Sequence, residues 1–158
     1  MIIERFVRYA AAFEESYESG DFAPLAPFFT EDAVYEIHAP GRPDQRHEGR
    51  DAVLAYMAWI TTHFDKRFAE RKILRAAGPF EKENTVEVVG IAVYTLATGE
   101  RCFLSMSECA HFRGDRISRL VDDLSPGGAH EMHCIVGAHP DRFAVDVLSQ
   151  PSPDALPG

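Results

Sequence analysis

Between residues 3 and 19, Phe6, Ala10, Phe13 and Tyr17 recur at spacings of four, three and four, with charged residues interspersed. That period predicts an amphipathic helix, and Gly20 is the residue type that most readily takes the left-handed conformation closing one. Asp21 is placed to cap a short second helix reaching Phe29, with Pro24 in its first turn. A short strand is expected over Ala33 to His38, broken by Pro40, Gly41 and Pro43. After Gly49-Arg50-Asp51, the stripe Val53, Tyr56, Met57, Ile60 and Phe64 predicts a long helix to about Phe68.

Beyond that point helical spacing gives way to strand-like runs: Lys72 to Ala76, Thr85 to Leu96, Arg101 to Phe112 and Ile117 to Leu124. The last two are joined by a tight turn around Arg113-Gly114-Asp115. Helices first and an antiparallel meander afterwards predict an α+β fold, with the helices packed on one face of a curved sheet. Past Ser125 the character changes. Pro126-Gly127-Gly128 reads as a hinge, a short helix is expected over residues 140–149, and the Pro-rich end is expected to be a mobile tail. The chain therefore divides into a domain over 1–125 and a C-terminal extension over 126–158. The extension is either a lid or a dimer contact, and the hinge favours a lid.

The length of 158 residues suits one domain with its own core, and 46% apolar content fits a globular chain. With 16 Lys plus Arg against 25 Asp plus Glu, the formal charge is −9. No basic cluster offsets it, so nucleic acid and anionic membrane surfaces are not expected partners. Cys102, Cys109 and Cys134 form an odd set with no CxxC spacing, which argues against a disulfide framework or a cysteine zinc site. Residues 1–6 lack the regions of a signal peptide, and the longest apolar run, Ala52 to Ile60, is half a membrane span. The expected location is the cytoplasm.

Candidate chemistry begins with Cys102, Leu104, Met106, Glu108, Ala110 and Phe112, which strand alternation places on one face. A lone carboxylate among apolar neighbours is desolvated and its pKa raised, which makes a general acid or a base poised near neutrality. The alternative is an outward Glu108 paired with an Arg under a partner subunit. The turn decides its neighbour. A three-residue loop sets Met106 opposite Asp122 and Asp122 diagonal to Glu108, about 7–8 Å away at the backbone, whereas a two-residue loop turns Val121 and Asp123 inward.

The strings Glu18-Ser19-Gly20-Asp21-Phe22, Phe28 through Tyr35, Glu48 through Val53, and Gly114 through Ser118 resemble the nuclear transport factor 2-like superfamily. More narrowly, the chain resembles the SnoaL-like polyketide cyclases over about residues 3–125. The resemblance implies a cone-shaped roll whose helices close a pocket against the concave, mainly antiparallel sheet, and a homodimer. It also implies a small-molecule ligand and no cofactor. Asp122 matches the strand position of an acidic residue in limonene epoxide hydrolase and in a phenazine-biosynthesis relative, and Tyr35 matches the epoxide hydrolase's water-positioning tyrosine. Glu108 matches the protonated Asp in the oxyanion hole of ketosteroid isomerase. The departures are Ile37 at that isomerase's base, Phe13 at its helix tyrosine, and Val89 and Ile91 at the Arg and second Asp of the hydrolase triad.

Tyr56, Ile60 and His63 share a helix face at i, i+4 and i+7, the face that lines the cavity in this superfamily. His63 is a candidate general base. The candidate catalytic set is thus Asp122, Glu108, His63 and Tyr35. The candidate substrate contacts are Tyr56, Phe13, Ile37, Ile60, Met106, Leu104, Val89 and Ile91. His130, His133 and His139, with Glu131 and Cys134, do not form HExxH; they read as surface histidines at a pocket mouth, and no metal site is expected. His38 and His47 flank the loop 39–46 and read as solvated or as gating residues. Three functions are compatible with these residues: a cofactor-free acid–base isomerase, cyclase or dehydratase acting on a largely apolar, polycyclic metabolite; an epoxide hydrolase; or a binding protein without turnover.

Overall fold

The computed structural model describes residues 1–157; Gly158, the last residue of the expected tail, lies outside the described residues. Helix α1 spans Ile2–Ser19 and ends at Gly20, whose φ of 79° lies in the left-handed region and whose amide donates to the Ser16 carbonyl. Asp21 Oδ1 accepts from the Ala23 amide at 3.0 Å, opening a 3-10 turn over Ala23–Phe28 rather than an α-helix. Pro27 removes an amide donor there, which limits regularity.

Strand β1 (Phe29–His38) runs beside a four-residue strand β2 (Gln45–Glu48), and α2 spans Arg50–His63, shorter than the stripe predicts. Four strands follow: β3 (Glu70–Lys82), β4 (Thr85–Thr95), β5 (Arg101–Arg113) and β6 (Arg116–Leu124). They form one sheet in the order β2-β1-β6-β5-β4-β3, antiparallel except for the parallel pair β1 and β6. The sheet is mixed and open, with the N-terminal helices packed against it, as expected of the α+β roll. Strand β3 outruns its expected end because Gly78-Pro79 is absorbed at a register shift between Ala77 and Phe80. The core between the layers includes Leu25, Phe29, Val53 and Leu120, each fully buried, and burying each such side chain contributes about 1.5–3 kcal/mol.

The C-terminal extension differs from its sequence reading. A third helix, α3, occupies Pro126–Ala138, while 140–149 holds turns and bends instead of the expected helix. The presumed hinge is the helix start: Ser125 accepts from the Gly128 amide at 2.9 Å, and Pro126 fills the first turn, where its missing amide costs nothing. Gly128 lies so close to β5 that a Cβ would meet the Ser105 carbonyl oxygen at 2.5 Å. Gly128, which suggests flexibility in sequence, thus permits close packing of α3 on the sheet.

Candidate active site

Helices and sheet enclose a cavity of about 890 Å³ whose wall is mostly apolar, with Phe13, Ile37, Ile60, Leu104 and Met106 among its lining residues. The β5 alternation holds: Leu104, Met106 and Glu108 all face the cavity. The β5–β6 connection is a two-residue loop, with Arg113 opposite Arg116 and Phe112 opposite Ile117. Taken alone, that register turns Val121 and Asp123 inward. A bulge at Ser118 reverses this, because His111 pairs with Arg119 and Glu108 directly with Asp122. One extra residue on β6 exchanges the two faces of the strand.

Asp122 is 7% exposed. Its Oδ2 accepts a short hydrogen bond from the Tyr35 hydroxyl, and its Oδ1 has no partner among the described residues. Burial raises the Asp122 pKa, while the hydrogen bond from Tyr35 opposes the rise. Burial raises the Glu108 pKa as well, and the negative charge of Asp122 adds to it. Two adjacent carboxyls without a cation do not both ionise readily, and the hydroxyl that Tyr35 donates to Asp122 favours the charge on that member of the pair. Tyr35 stays a donor, its pKa raised by burial and by Asp122.

Tyr9, on α1 one turn before Phe13, also lines the cavity, and its pKa is raised by burial, then by Glu108 and Asp122. The helix stripe at Phe6, Ala10 and Phe13 gave no reason to single it out. Tyr56 lines the cavity as expected and stacks on His47 with ring centroids 3.9 Å apart. His47 is therefore not a solvated loop residue: it is 3% exposed in β2, and burial lowers its pKa to about 4. His38 fits the solvated reading better, partly exposed and 3.8 Å from Asp44.

His63 does not join the site. The chain leaves α2 at Phe64, whose ring takes the inward position, while His63 packs against Trp59 with centroids 5.3 Å apart. Val89 is likewise absent from the cavity wall; the even positions Val88, Gly90 and Ala92 face inward, joined by Ile91. Val88 pairs with Glu108 across the sheet, which fixes that face. His130 and His133 lie at the exposed rim of the cavity, on α3 rather than in a loop. Among the described residues no group of three or more His, Cys, Asp or Glu side chains is arranged to hold a metal.

A second polar cluster lines the same cavity and escaped sequence reasoning, since its members are far apart in the chain. The Tyr94 hydroxyl donates to Asp65 Oδ1 at 2.5 Å, and Arg71 Nε lies 3.7 Å from the same oxygen. Arg71 also holds Glu14 in a two-pronged pair at 2.9 and 3.3 Å. Burial pushes the Asp65 pKa up to about 6 against the pull of Tyr94 and Arg71.

Solved structures share this architecture. An NTF2-like protein of unknown function from Burkholderia pseudomallei aligns at 17% identity and a TM-score of 0.62, over 84% of this chain and 97% of its own. A Bacillus subtilis protein named as a candidate isomerase aligns at 20% identity and 0.60, over 80% and 90%. Bal32a, from a soil-derived mobile gene cassette, aligns at 18% and 0.60, over 84% and 98%. These likenesses bear on the fold. No curated protein matches the sequence. Residues 7–120 match the SnoaL-like domain, and the chain belongs to this family within the nuclear transport factor 2-like superfamily.

Proposed function

We propose that the protein is a cofactor-independent acid–base enzyme, an isomerase, cyclase or dehydratase acting on a small, largely apolar, polycyclic metabolite. The observation that carries this is the Glu108–Asp122 pair: a half-buried and a buried carboxyl directly across the ladder, with no cation on either among the described residues, and Asp122 Oδ1 unpartnered there. Asp122 is the ionised base. Tyr35 occupies its Oδ2 and leaves Oδ1 to take a proton from carbon. Glu108, held neutral, donates to the oxygen that becomes enolate-like, and two carboxyls in unlike environments divide acid and base roles in this way. Tyr56 and the apolar wall orient the rings, and the extension over 126–157 closes the mouth through Met132, Val147 and Leu148.

The test uses enolisation itself. Wild-type protein should accelerate deuterium uptake at the α-carbon of β-tetralone in heavy water, followed by NMR, and Asp122→Asn should not while keeping its fold. Equal exchange by both proteins would refute the assignment. The Tyr35–Asp122 bond also favours a second reading, epoxide hydrolysis, in which Asp122 activates water and Glu108 protonates the oxirane. Diol formation from styrene oxide with oxygen drawn from labelled solvent would select it. A cavity that binds ligand with no rate at any pH would mark a binding protein.

A homodimer belongs to the proposal. Leu74, Phe80 and Phe103 are exposed apolar side chains on the sheet face away from the cavity, and light scattering should give twice the chain mass. A cytoplasmic location accords with three free cysteines. Among the described residues no helix is long and apolar enough to cross a membrane.

A further inference from the structure

A row of residues crosses the cavity face of the sheet on four neighbouring strands. Gln45 on β2 pairs with Ile37 on β1, Ile37 with Asp122 on β6, and Asp122 with Glu108 on β5. Three of the four are polar and all four line the cavity. Gln45 is 6% exposed, and its Oε1 has no hydrogen-bond partner among the described residues. A buried amide left unsatisfied is costly. On an edge strand of four residues a Leu or Val would satisfy the fold at lower cost. The rest of β2 is well explained: Arg46 and Glu48 point outward and pair with each other at 2.7 Å, and His47 stacks on Tyr56.

We infer that Gln45 is a specificity-determining residue that reads a second oxygen on the substrate, a hydroxyl placed across the ring system from the carbonyl at Glu108. The inference rests on the acid–base reading for which end of the substrate faces Glu108. Strands lie about 4.8 Å apart, so Gln45 and Asp122 are about 10 Å apart at the backbone. Ile37 between them offers only an apolar surface. A fused-ring skeleton laid along the row places its reacting carbon at Asp122, its carbonyl oxygen toward Glu108 and its far hydroxyl at Gln45. The amide accepts through Oε1 and donates through Nε2, which matches a hydroxyl that both donates and accepts. Nothing else along this row supplies a hydrogen-bonding group on the β2 side of Asp122.

The experiment compares β-tetralone with its 6-hydroxy derivative on the full chain, by calorimetry, in wild type and Gln45→Leu. In wild type the hydroxyl should tighten binding about tenfold, the scale of one buried hydrogen bond. In Gln45→Leu that ratio should collapse to about one, and the ligand-free Tm should be equal or higher because an unpartnered amide has been removed. A ratio unchanged in the variant, or a lowered Tm marking a structural amide, would overturn the inference. So would failure of the wild type to bind either ketone. Deuterium exchange on the same ketones tests the acid–base reading separately: absent exchange with an intact hydroxyl ratio removes that reading and leaves Gln45 as the determinant of binding.

Discussion

The cavity holds two aspartates, Asp122 buried and Asp65 half-buried, each with a tyrosine hydroxyl on one oxygen: Tyr35 on Asp122 and Tyr94 on Asp65. They differ in what stands behind them. Asp65 has Arg71, which Glu14 also grips; Asp122 has only another acid, Glu108. The Asp65 charge is therefore balanced in place, and its network ties α1 to β3. Asp122 has no cation beside it among the described residues, and its Oδ1 has no hydrogen-bond partner there. On the proposed reading the same side-chain type in one cavity is a strut at one end and a base at the other, and the neighbouring cation makes the difference.

The largest expected effect separates the two ends directly. Asp122→Asn should reduce α-proton exchange by about 10²–10⁴-fold, the usual contribution of a general base, with an unchanged circular dichroism spectrum. Arg71→Met should instead destabilise the fold by about 3 kcal/mol in urea unfolding, because Asp65 and Glu14 lose their shared cation. A large loss of exchange with full stability in Arg71→Met would erase the distinction.

Acidity sharpens it further. The Asp122 pKa is raised from 3.8 in the fold, so the folded state holds more protons than the unfolded chain as pH climbs from about 4 through that raised value. Stability from this group is fully present below about 4 and falls as pH rises through the window. Asp122→Asn should flatten that fall in Tm between pH 4 and 8. The exchange rate should follow the opposite course, rising as Asp122 ionises and falling where Glu108 finally loses its proton, and Glu108→Gln should remove the alkaline limb. A smaller effect is expected of Tyr35→Phe. Its hydrogen bond lowers the Asp122 pKa, so removing it should move the acid limb of the profile to higher pH and slow exchange about tenfold. The smallest concerns the C-terminal segment around Gln150. Gln150 exchanges two hydrogen bonds with the Arg46 backbone at 2.6 and 2.8 Å, and Gln150→Ala should cost about 1 kcal/mol.

The large elements were legible because their periods are long and unbroken: the α1 stripe, the alternation from Cys102 to Phe112, and the glycine after Ser19. Glu108 followed from that alternation. Asp122 came through for a different reason, since the loop length that argued for it is not the one present and the bulge at Ser118 restores its face. A bulge is a local accommodation between strands, and Ser118 carries no mark of it. Strand β2 was missed because four residues give almost no period, and with it went Gln45 and the burial of His47. The Asp65, Arg71, Tyr94 and Glu14 cluster was missed because only tertiary contact assembles it. His63 falls outside the cavity wall because helix periodicity does not register where the helix stops, and Gly128 misled because close packing and flexibility call for the same residue.

The central claim is that Glu108 keeps its proton at neutral pH while Asp122, directly across the ladder, has lost its own. Infrared difference spectroscopy at pH 7 between wild type and Glu108→Gln tests it most directly. A protonated carboxyl stretch present in wild type and absent from the variant is the predicted result. Carboxylate bands alone, with both groups ionised, would contradict the account.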